Sequence, residues 1–354
     1  LKLQKLDCMR RATSAGVEIE LERAAPASRP VPIGIQQAGE VDVVVVGGGA
    51  AGLSAALWCW RLGHQALLVD GGARLGGQLH LVHGAMPDIP GLPPVRGPAL
   101  VERLEAQFLG HQGRWLRARL QGVERKGPEW RLALAPVGDP AASPGVLGAR
   151  ALILATGSRR RALGVPGEQE LLGRGLLYTA ARGAEEQAGR HVLVVGGGDS
   201  ACENALILQR AGARVTLVHR GDQLTAREQF AAAARCNAEI QILPDRSVQR
   251  FLGDQTLSGV VLDGPAGPDE VAADAALVRI GWQPNSESLP LAWLNSAGFV
   301  KREGETQVHS APGVFVTGEV GGPVSSSVAA AFGGGAAAAT SAVRFLERGG
   351  ERIL

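Results

Sequence analysis

Two glycine-rich segments, about half a chain apart, have the residue types and spacing of turns that bind the pyrophosphate of a dinucleotide. Each follows an apolar run: VDVVVVGGGAAG begins at Val41, and HVLVVGGGDSAC begins at His191. Glycine is required where a strand turns sharply and where the backbone approaches the pyrophosphate, because a Cβ would block that approach. The anion then lies at the N-terminus of the following helix. Two such turns in one chain predict two bound dinucleotides and electron transfer between them.

The residues that follow each loop indicate which dinucleotide binds there. Asp70 ends a short apolar run about 20 residues beyond the first loop, where a carboxylate can accept a hydrogen bond from a ribose hydroxyl. The strand predicted at residues 214–218 ends instead at His219 and Arg220. An arginine can pair with the 2′-phosphate that an acid would repel, so the second site favours NADPH over NADH.

The composition fits a packed protein of more than one domain. At 354 residues the chain exceeds one comfortable hydrophobic core. A net charge of +2, from 36 basic and 34 acidic residues, does not indicate a surface that binds nucleic acid or an anionic membrane. No apolar run reaches the roughly 20 residues of a membrane-spanning helix. The four cysteines show neither a CxxC nor a metal-ligand spacing, so we expect a cytoplasmic protein without a metal site.

The alternation of apolar strands and helical segments predicts an α/β fold with two Rossmann-like dinucleotide-binding domains. The C-terminal segment GVFVTGEV indicates a strand that ends in a glycine–acid pair, which suits the far side of the first nucleotide site. The second domain is therefore predicted to be inserted in the first. The expected divisions are a poorly ordered N-terminal extension at residues 1–40, a first domain at 41–162 plus 283–354, and a second domain at 163–282.

Eight motifs, which include the two glycine loops, occur along the chain in this order: GGGAAGLSAA, GGQL, PDIPGLP, LILATGS, GGGDSACENA, VTLVHR, IGWQPN and GVFVTGEV. In this order they resemble the low-molecular-weight thioredoxin reductases, from about residue 41 to the C-terminus. The ordered set is far more specific than either glycine loop alone. The resemblance implies an FAD domain formed by both ends of the chain, an inserted NADPH domain and, commonly, a homodimer.

The loops and the resemblance together imply two sets of cofactor-binding residues. The implied FAD site consists of Gly47, Gly49, Ala50, Ala51, Gly52, Asp70, Gly77, Gln78, Leu79, Ala155, Thr156, Gly157, Gly318 and Glu319. The implied NADPH site consists of Gly196, Gly198, Asp199, Ser200, Ala201, His219, Arg220 and Arg227.

The largest departure from the resemblance concerns the redox-active cysteines. The family carries a CxxC just before the second glycine loop, and this chain has Thr179 and Arg182 at those two positions. Neither side chain can form a disulfide or a thiolate adduct with a flavin. We expect Cys59 and Cys202 to be packing residues. A dithiol relay to thioredoxin is therefore not expected, and no catalytic side chain is assigned.

Other departures reduce the contacts to both cofactors. The family's basic cluster for the 2′-phosphate is reduced to His219 and Arg220, with Arg227 displaced along the chain. The family's glycine–aspartate pair ends here in Glu319, and its arginine–glutamine pair is replaced by serines at 326–327. NADPH stays favoured, and NADH remains an alternative.

Four ring side chains lie in segments that the resemblance associates with the flavin. His80 and His83 are predicted as surface or packing residues, with proton donation to the flavin as the alternative. Their spacing, without a third ligand nearby, does not indicate a metal. Tyr178 is predicted either as a core aromatic or as a residue that stacks near the flavin ring, and Trp282 is predicted to pack between the domains.

The resulting hypothesis is an FAD-dependent NAD(P)H oxidoreductase that has the thioredoxin reductase fold and lacks its disulfide. Hydride passes from nicotinamide to flavin when the two lie within about 3–3.5 Å. The electrons then pass directly to an external acceptor: a ferredoxin- or flavodoxin-like protein, a quinone, dioxygen or another small molecule. The alternative is an FAD-binding or partner-binding flavoprotein without turnover. A thioredoxin-disulfide reductase that uses Cys202 or Cys236 is less favoured.

Overall fold

The computed structural model describes residues 31–35, 38, 41–82, 84–138, 143–180, 183–265, 267–322 and 325–349. Most of the predicted N-terminal extension lies outside these described residues, as do His83 and Arg182. The helices are α1 (Ala50–Arg61), α2 (Gly97–Gly110), α3 (Asp199–Arg210), α4 (Glu228–Arg235) and α5 (Val328–Glu347). The strands are β1 (Val41–Val46), β2 (Ala66–Asp70), β3 (Ala85–Met86), β4 (Val95–Arg96), β5 (Arg114–Lys126), β6 (Glu129–Pro136), β7 (Gly145–Leu154), β8 (Ser158–Arg160), β9 (Leu176–Leu177), β10 (His191–Val195), β11 (Arg214–Val218), β12 (Ile240–Leu243), β13 (Ser247–Leu252), β14 (Gly259–Asp263), β15 (Asp269–Ala272), β16 (Ala275–Val278), β17 (Trp282–Pro284), β18 (Arg302–Glu303), β19 (Gln307–Val308) and β20 (Val314–Val316).

The first sheet combines a parallel layer with an antiparallel meander. The parallel layer has the order β5–β2–β1–β7–β20, and β5, β6 and β7 form the meander. The strands β5 and β7 belong to both because they are 13 and 10 residues long. Val43 and Val45 of β1 pack beneath α1, α2 and α5, whereas Val44 and Val46 pack beneath the meander. Since both of its faces are covered, β1 is apolar without interruption from Val43 to Val46.

The second sheet is parallel, with the order β12–β11–β10–β16–β9. Val192 and Val194 of β10 pack against α3, and Leu193 and Val195 pack against a separate antiparallel sheet made of β13, β14 and β15. As in β1, burial on both faces explains why β10 carries no polar residue after His191.

The chain passes between the two sheets twice, through β8 and β17, and these two strands pair antiparallel. All strands of the second sheet lie between them in sequence, while the first sheet takes strands from both sides. The predicted α/β fold, with a second Rossmann-like unit inserted in the first, is confirmed. The numerical domain limits stay predictions. Within the described residues, no helix is both long enough and apolar enough to cross a membrane.

The close packing of α5 on α1 gives a test of this architecture. A Cβ on Gly335 would lie 2.4 Å from the backbone oxygen of Ala51 in α1, whereas a Cβ on Gly333 would have no atom within 4 Å. We expect Gly335→Ala to lower the free energy of unfolding by about 1–3 kcal/mol, because the two helices must separate. The matched variant Gly333→Ala should raise it by up to about 1 kcal/mol, since alanine is the better helix former. Equal shifts in the thermal unfolding of the two variants would contradict the packing.

Candidate dinucleotide-binding sites

The first glycine loop contains two glycines that close packing requires and one glycine that faces open space. Gly47 has a φ of +111°, and a Cβ there would lie 2.1 Å from the backbone oxygen of Ala155. A Cβ on Gly52 would lie 1.8 Å from the backbone oxygen of Gly47. Gly49, by contrast, has a φ of −75° and no atom within 4 Å of its Cβ position. The open space lies at the N-terminus of α1, where backbone N–H groups lack partners inside the helix.

Asp70, at the end of β2, holds this loop in place. Its Oδ2 accepts a hydrogen bond from the Gly48 N–H at 2.7 Å, and its Oδ1 accepts one from the Gly72 N–H at 2.7 Å. A carboxylate offers about four acceptor positions, so these two bonds leave capacity for a ribose hydroxyl. The predicted role of Asp70 is therefore compatible with its position.

The other segments of the implied FAD site converge on the start of α1. A Cβ on Gly77 would lie 3.1 Å from the Gly49 Cα, and a Cβ on Gly318 would lie 3.1 Å from the Ala51 Cβ. The 3₁₀ turn Gly77–Leu81 and the 3₁₀ turn Gly318–Gly321 therefore flank the glycine loop on the same helix end. Leu79, in the first of these turns, is buried, and its side chain packs in the hydrophobic core beneath the first sheet.

A hydrogen-bonded cluster joins three of these segments. Gln78 Nε2 donates to Glu319 Oε2 at 2.6 Å and to the backbone oxygen of Ser158 at 3.0 Å. The Ser158 hydroxyl also donates to Glu319 Oε2. Among the described residues, Glu319 Oε1 accepts no hydrogen bond, so one carboxylate oxygen remains able to accept a bond from a ligand. The open space at Gly49, the helix N-terminus and these polar groups together fit the pyrophosphate and hydroxyl groups of FAD.

The second glycine loop repeats the steric arrangement of the first. Gly196 has a φ of +139°, and a Cβ there would lie 2.1 Å from the backbone oxygen of Arg279. Gly198 has a φ of −92°, and the nearest atom to its Cβ position, Thr225 Oγ1, is 4.0 Å away. Space is therefore open at the N-terminus of α3, where a pyrophosphate can bind. Ser200 and Ala201 belong to the first turn of this helix.

Arg227 forms an ion pair with Asp199 across this helix end. The Arg227 N–H donates to Asp199 Oδ1 at 2.7 Å, and its Nε donates to Asp199 Oδ2 at 2.6 Å. The backbone hydrogen bond from Arg227 is the main cause that lowers the pKa of Asp199. The pair neutralises an acid that would otherwise repel a pyrophosphate at this site.

His219 and Arg220 differ in the charge that they bring to the second site. His219 is 6% exposed, and a Cβ on Gly197 would lie 3.3 Å from its Cβ, so the ring packs beneath the loop. Burial is the main cause that lowers the pKa of His219 below the ordinary range of a histidine, which favours the neutral ring. Arg220 is exposed just after β11. Of this pair, Arg220 alone carries a positive charge at neutral pH.

Comparison with known proteins identifies the family to which this chain belongs. The model of the family described as pyridine nucleotide-disulphide oxidoreductase matches residues 41–335. The chain belongs to this family. A thioredoxin reductase of Treponema pallidum is 32% identical over 284 residues, which cover 79% of this chain and 89% of the relative. A thioredoxin reductase of Mycolicibacterium smegmatis is 33% identical over 283 residues, which cover 79% of this chain and 88% of the relative.

Solved structures agree with this assignment. The crystal structure of Lactococcus lactis thioredoxin reductase in its FR conformation has a TM-score of 0.71 and 28% identity, covering 87% of this chain and 100% of that chain. The resemblance to thioredoxin reductases is therefore confirmed. The protein is a thioredoxin reductase-like enzyme of the pyridine nucleotide-disulphide oxidoreductase family, for which FAD and NAD(P)H are the general cofactors.

The described cysteines of this family member do not form a dithiol. Cys59 lies in the core of the first sheet and Cys202 in the core beneath α3, and both are 0% exposed. Burial raises the pKa of the Cys59 thiol to about 12. Burial, followed by the charge of Asp199, also raises the pKa of Cys202. Neither thiol is a thiolate at neutral pH, which agrees with their predicted packing role. Cys236 is a free, exposed thiol.

The structure resolves part of the predictions for the ring side chains. Tyr178 is 60% exposed, so the alternative of a core aromatic is wrong. His80 Nε2 lies 2.6 Å from the backbone oxygen of Leu75, a contact that agrees with a packing role. Trp282 is 38% exposed, and the Arg160 guanidinium lies 4.4 Å from its ring centroid. No group of three potential metal ligands occurs in the part of the chain that the structure describes.

Sequence reasoning missed several residues that organise the sites. Asn285 donates from Nδ2 to the backbone oxygen of Thr156 at 2.8 Å and accepts a bond from Arg159 at 2.7 Å, so it fixes the turn after β7. Ser158 and Arg279 were missed as well. The motifs LILATGS and IGWQPN contain Ser158 and Asn285 and were the available signal.

The open glycines allow ligand binding to be tested apart from folding. We expect Gly49→Ala to fold with its unfolding temperature nearly unchanged, because the added Cβ meets no protein atom, and to lose most of its FAD. Gly198→Ala should retain FAD and bind NADPH about 10-fold or more weakly, since the Cβ enters the pyrophosphate space. Absorbance of the purified protein measures bound FAD, and calorimetric titration measures NADPH affinity. Normal affinity for both cofactors in the two variants would contradict the assigned sites.

Proposed function

We propose that the protein is an FAD-dependent NAD(P)H oxidoreductase that passes electrons directly to an external acceptor, without a dithiol relay. The observation that carries this proposal is Thr179 at the first cysteine position of the family, together with the burial of Cys59 and Cys202 in two separate cores. The acceptor is a ferredoxin- or flavodoxin-like protein, a quinone, dioxygen or another small molecule. A cytoplasmic homodimer is part of the same proposal.

The residues of the first site bind and orient the flavin cofactor. The N-terminus of α1 binds the pyrophosphate over Gly49, and Asp70 accepts a hydrogen bond from the ribose. Glu319, held by Gln78 and Ser158, accepts a hydrogen bond from a hydroxyl of the chain that joins pyrophosphate to flavin. The bound flavin supplies the chemistry: it accepts a hydride and gives electrons singly or in pairs to an acceptor.

The residues of the second site bind the nicotinamide dinucleotide and discriminate its 2′-phosphate. The N-terminus of α3 binds the pyrophosphate over Gly198, and the exposed Arg220 pairs with the 2′-phosphate. Arg227 supports the site by neutralising Asp199 at a distance of 2.6 Å. NADPH is therefore the preferred donor, and NADH the weaker one.

A second candidate function is an FAD-binding or partner-binding flavoprotein without turnover. The observation in its favour is also the Asp199–Arg227 pair, because it engages a cation that the sequence assigns to phosphate binding. The two candidates separate on whether a nicotinamide dinucleotide reduces the flavin.

The nucleotide preference provides the experiment for this proposal. Under anaerobic conditions, NADPH should bleach the visible flavin spectrum of the wild-type protein. In Arg220→Ala the Kd for NADPH should rise about 10-fold or more, because a charge-assisted bond to the 2′-phosphate is lost, and the Kd for NADH should stay within about 3-fold. The matched control is Arg214→Ala, since Arg214 is exposed at the opposite end of the same strand β11. A flavin that stays oxidised with both nucleotides would support the flavoprotein without turnover.

A further inference from the structure

The two-stranded ribbon of β8 and β17 is the most basic connection in the fold: β8 and the residue after it contain the consecutive arginines Arg159, Arg160 and Arg161. Arg159 is paired, because its guanidinium donates to Asn285 Oδ1 at 2.7 Å and forms an ion pair with Glu287. Arg160 and Arg161 take part in none of the ion pairs among the described residues. The ribbon therefore presents two positive charges that no described carboxylate contacts.

The two unpaired guanidinium groups lie against Trp282, which is directly opposite Arg160 in the ribbon. The Arg160 guanidinium is 4.4 Å from the centroid of the indole ring, and Arg161 Nε donates to the backbone oxygen of Trp282 at 3.3 Å. Trp282 is 38% exposed, and Arg161 is exposed as well. Tryptophan and arginine are the residue types that contribute most of the binding energy at protein interfaces. The ribbon thus has the composition of a protein-binding surface.

The ribbon is joined by hydrogen bonds to the candidate FAD site. Ser158, the first residue of β8, donates from its hydroxyl to Glu319. Asn285, which follows β17, accepts at its backbone oxygen a hydrogen bond from Thr156 Oγ1 at 2.7 Å. Arg160 is two residues beyond Ser158, so the Cα atoms of these two residues are at most about 8 Å apart. A partner on the ribbon therefore lies beside the site that, under the proposed function, holds the electron donor.

We propose that the β8–β17 ribbon is the docking surface for the electron acceptor and that this acceptor is a protein with an acidic surface. The inference rests on the proposed function and deepens it, because it selects a protein among the acceptors that the function leaves open. The unpaired arginines fit carboxylates of the partner, since a guanidinium binds a carboxylate through a charge-assisted fork, and Trp282 supplies apolar contact. A quinone or dioxygen carries no charge and gains nothing from these arginines.

Calorimetric titration of the FAD-loaded protein with an oxidised iron–sulfur ferredoxin that has an acidic surface tests this inference. In the double variant Arg160→Gln/Arg161→Gln the Kd at low salt should rise about 10-fold or more, because both charge-assisted contacts are lost. The wild-type Kd should rise as the Debye length falls from about 30 Å at 0.01 M salt to about 8 Å at 0.15 M, and that of the variant should rise less. Trp282→Ala should weaken binding by a similar factor at both salt concentrations.

A matched control removes the same charge elsewhere. Arg210 ends α3 and Arg214 begins β11, and both are exposed. They lie at the end of the second sheet opposite to the one from which the chain leaves β16 for the ribbon. Arg210→Gln/Arg214→Gln should leave the Kd for ferredoxin within about 3-fold of wild type. A basic cytochrome c should bind the wild type at least about 10-fold more weakly than ferredoxin does, because its charge is of the same sign as that of the ribbon.

The outcomes distinguish the docking surface from the proposed function. Ferredoxin that does not bind the wild type, or that binds Arg160→Gln/Arg161→Gln equally tightly, overturns the docking surface, whether or not NADPH bleaches the flavin. Arginine-dependent binding to a wild type whose flavin NADPH does not reduce supports the docking surface and overturns the proposed function.

Two further results have a defined meaning. If the double variant changes the oligomeric state and leaves the ferredoxin affinity unchanged, the ribbon is a contact between two copies of the chain and the inference is overturned. If the double variant unfolds at a lower temperature than the wild type, Arg161→Gln alone provides the test, because this residue is exposed. Its Kd for ferredoxin at low salt must then rise by about 3-fold or more.

Discussion

Both nucleotide sites depend on the same steric contact between a glycine and the end of a neighbouring strand. The Cβ position of Gly47 lies 2.1 Å from the backbone oxygen of Ala155, and the Cβ position of Gly196 lies 2.1 Å from that of Arg279. Only a residue without a Cβ allows the chain to turn sharply there, so that the helix begins directly after the strand. Each helix N-terminus then faces open space, and a residue at the end of the neighbouring strand, Asp70 in the first unit and His219 in the second, packs against the loop.

This arrangement provides two candidate dinucleotide sites, and among the described residues no thiol pair lies between them. Thr179, at the position that the resemblance gives to the first cysteine, cannot take up electrons as a disulfide would. Of the described cysteines, Cys59 and Cys202 are buried in two different hydrophobic cores. Cys236 is exposed at the C-terminal end of α4. Under the proposed function, the acceptor therefore reaches the flavin itself. The protein surface around the first site then determines which acceptor can bind, because no internal relay selects it.

The sequence predicts the glycine loops, their strands and Asp70 because these features are local: the residue types and their spacing carry the whole signal. Contacts between distant segments are different. Ser158 and Glu319 are 161 residues apart, and Arg227 lies 28 residues from Asp199. Nothing in either spacing requires these side chains to meet, so the cluster around Glu319 and the ion pair on α3 could be found only in the folded chain. The exposure of Tyr178 likewise depends on which element covers it.

The most direct test of the central claim is an anaerobic titration of the oxidised wild-type protein with NADPH, followed by the flavin absorbance. We predict complete bleaching after about one equivalent of NADPH per FAD, because the flavin takes up two electrons and no dithiol shares them. Bleaching that is complete only after about two equivalents would reveal a second two-electron centre, and a thiol pair in the electron path would contradict the account.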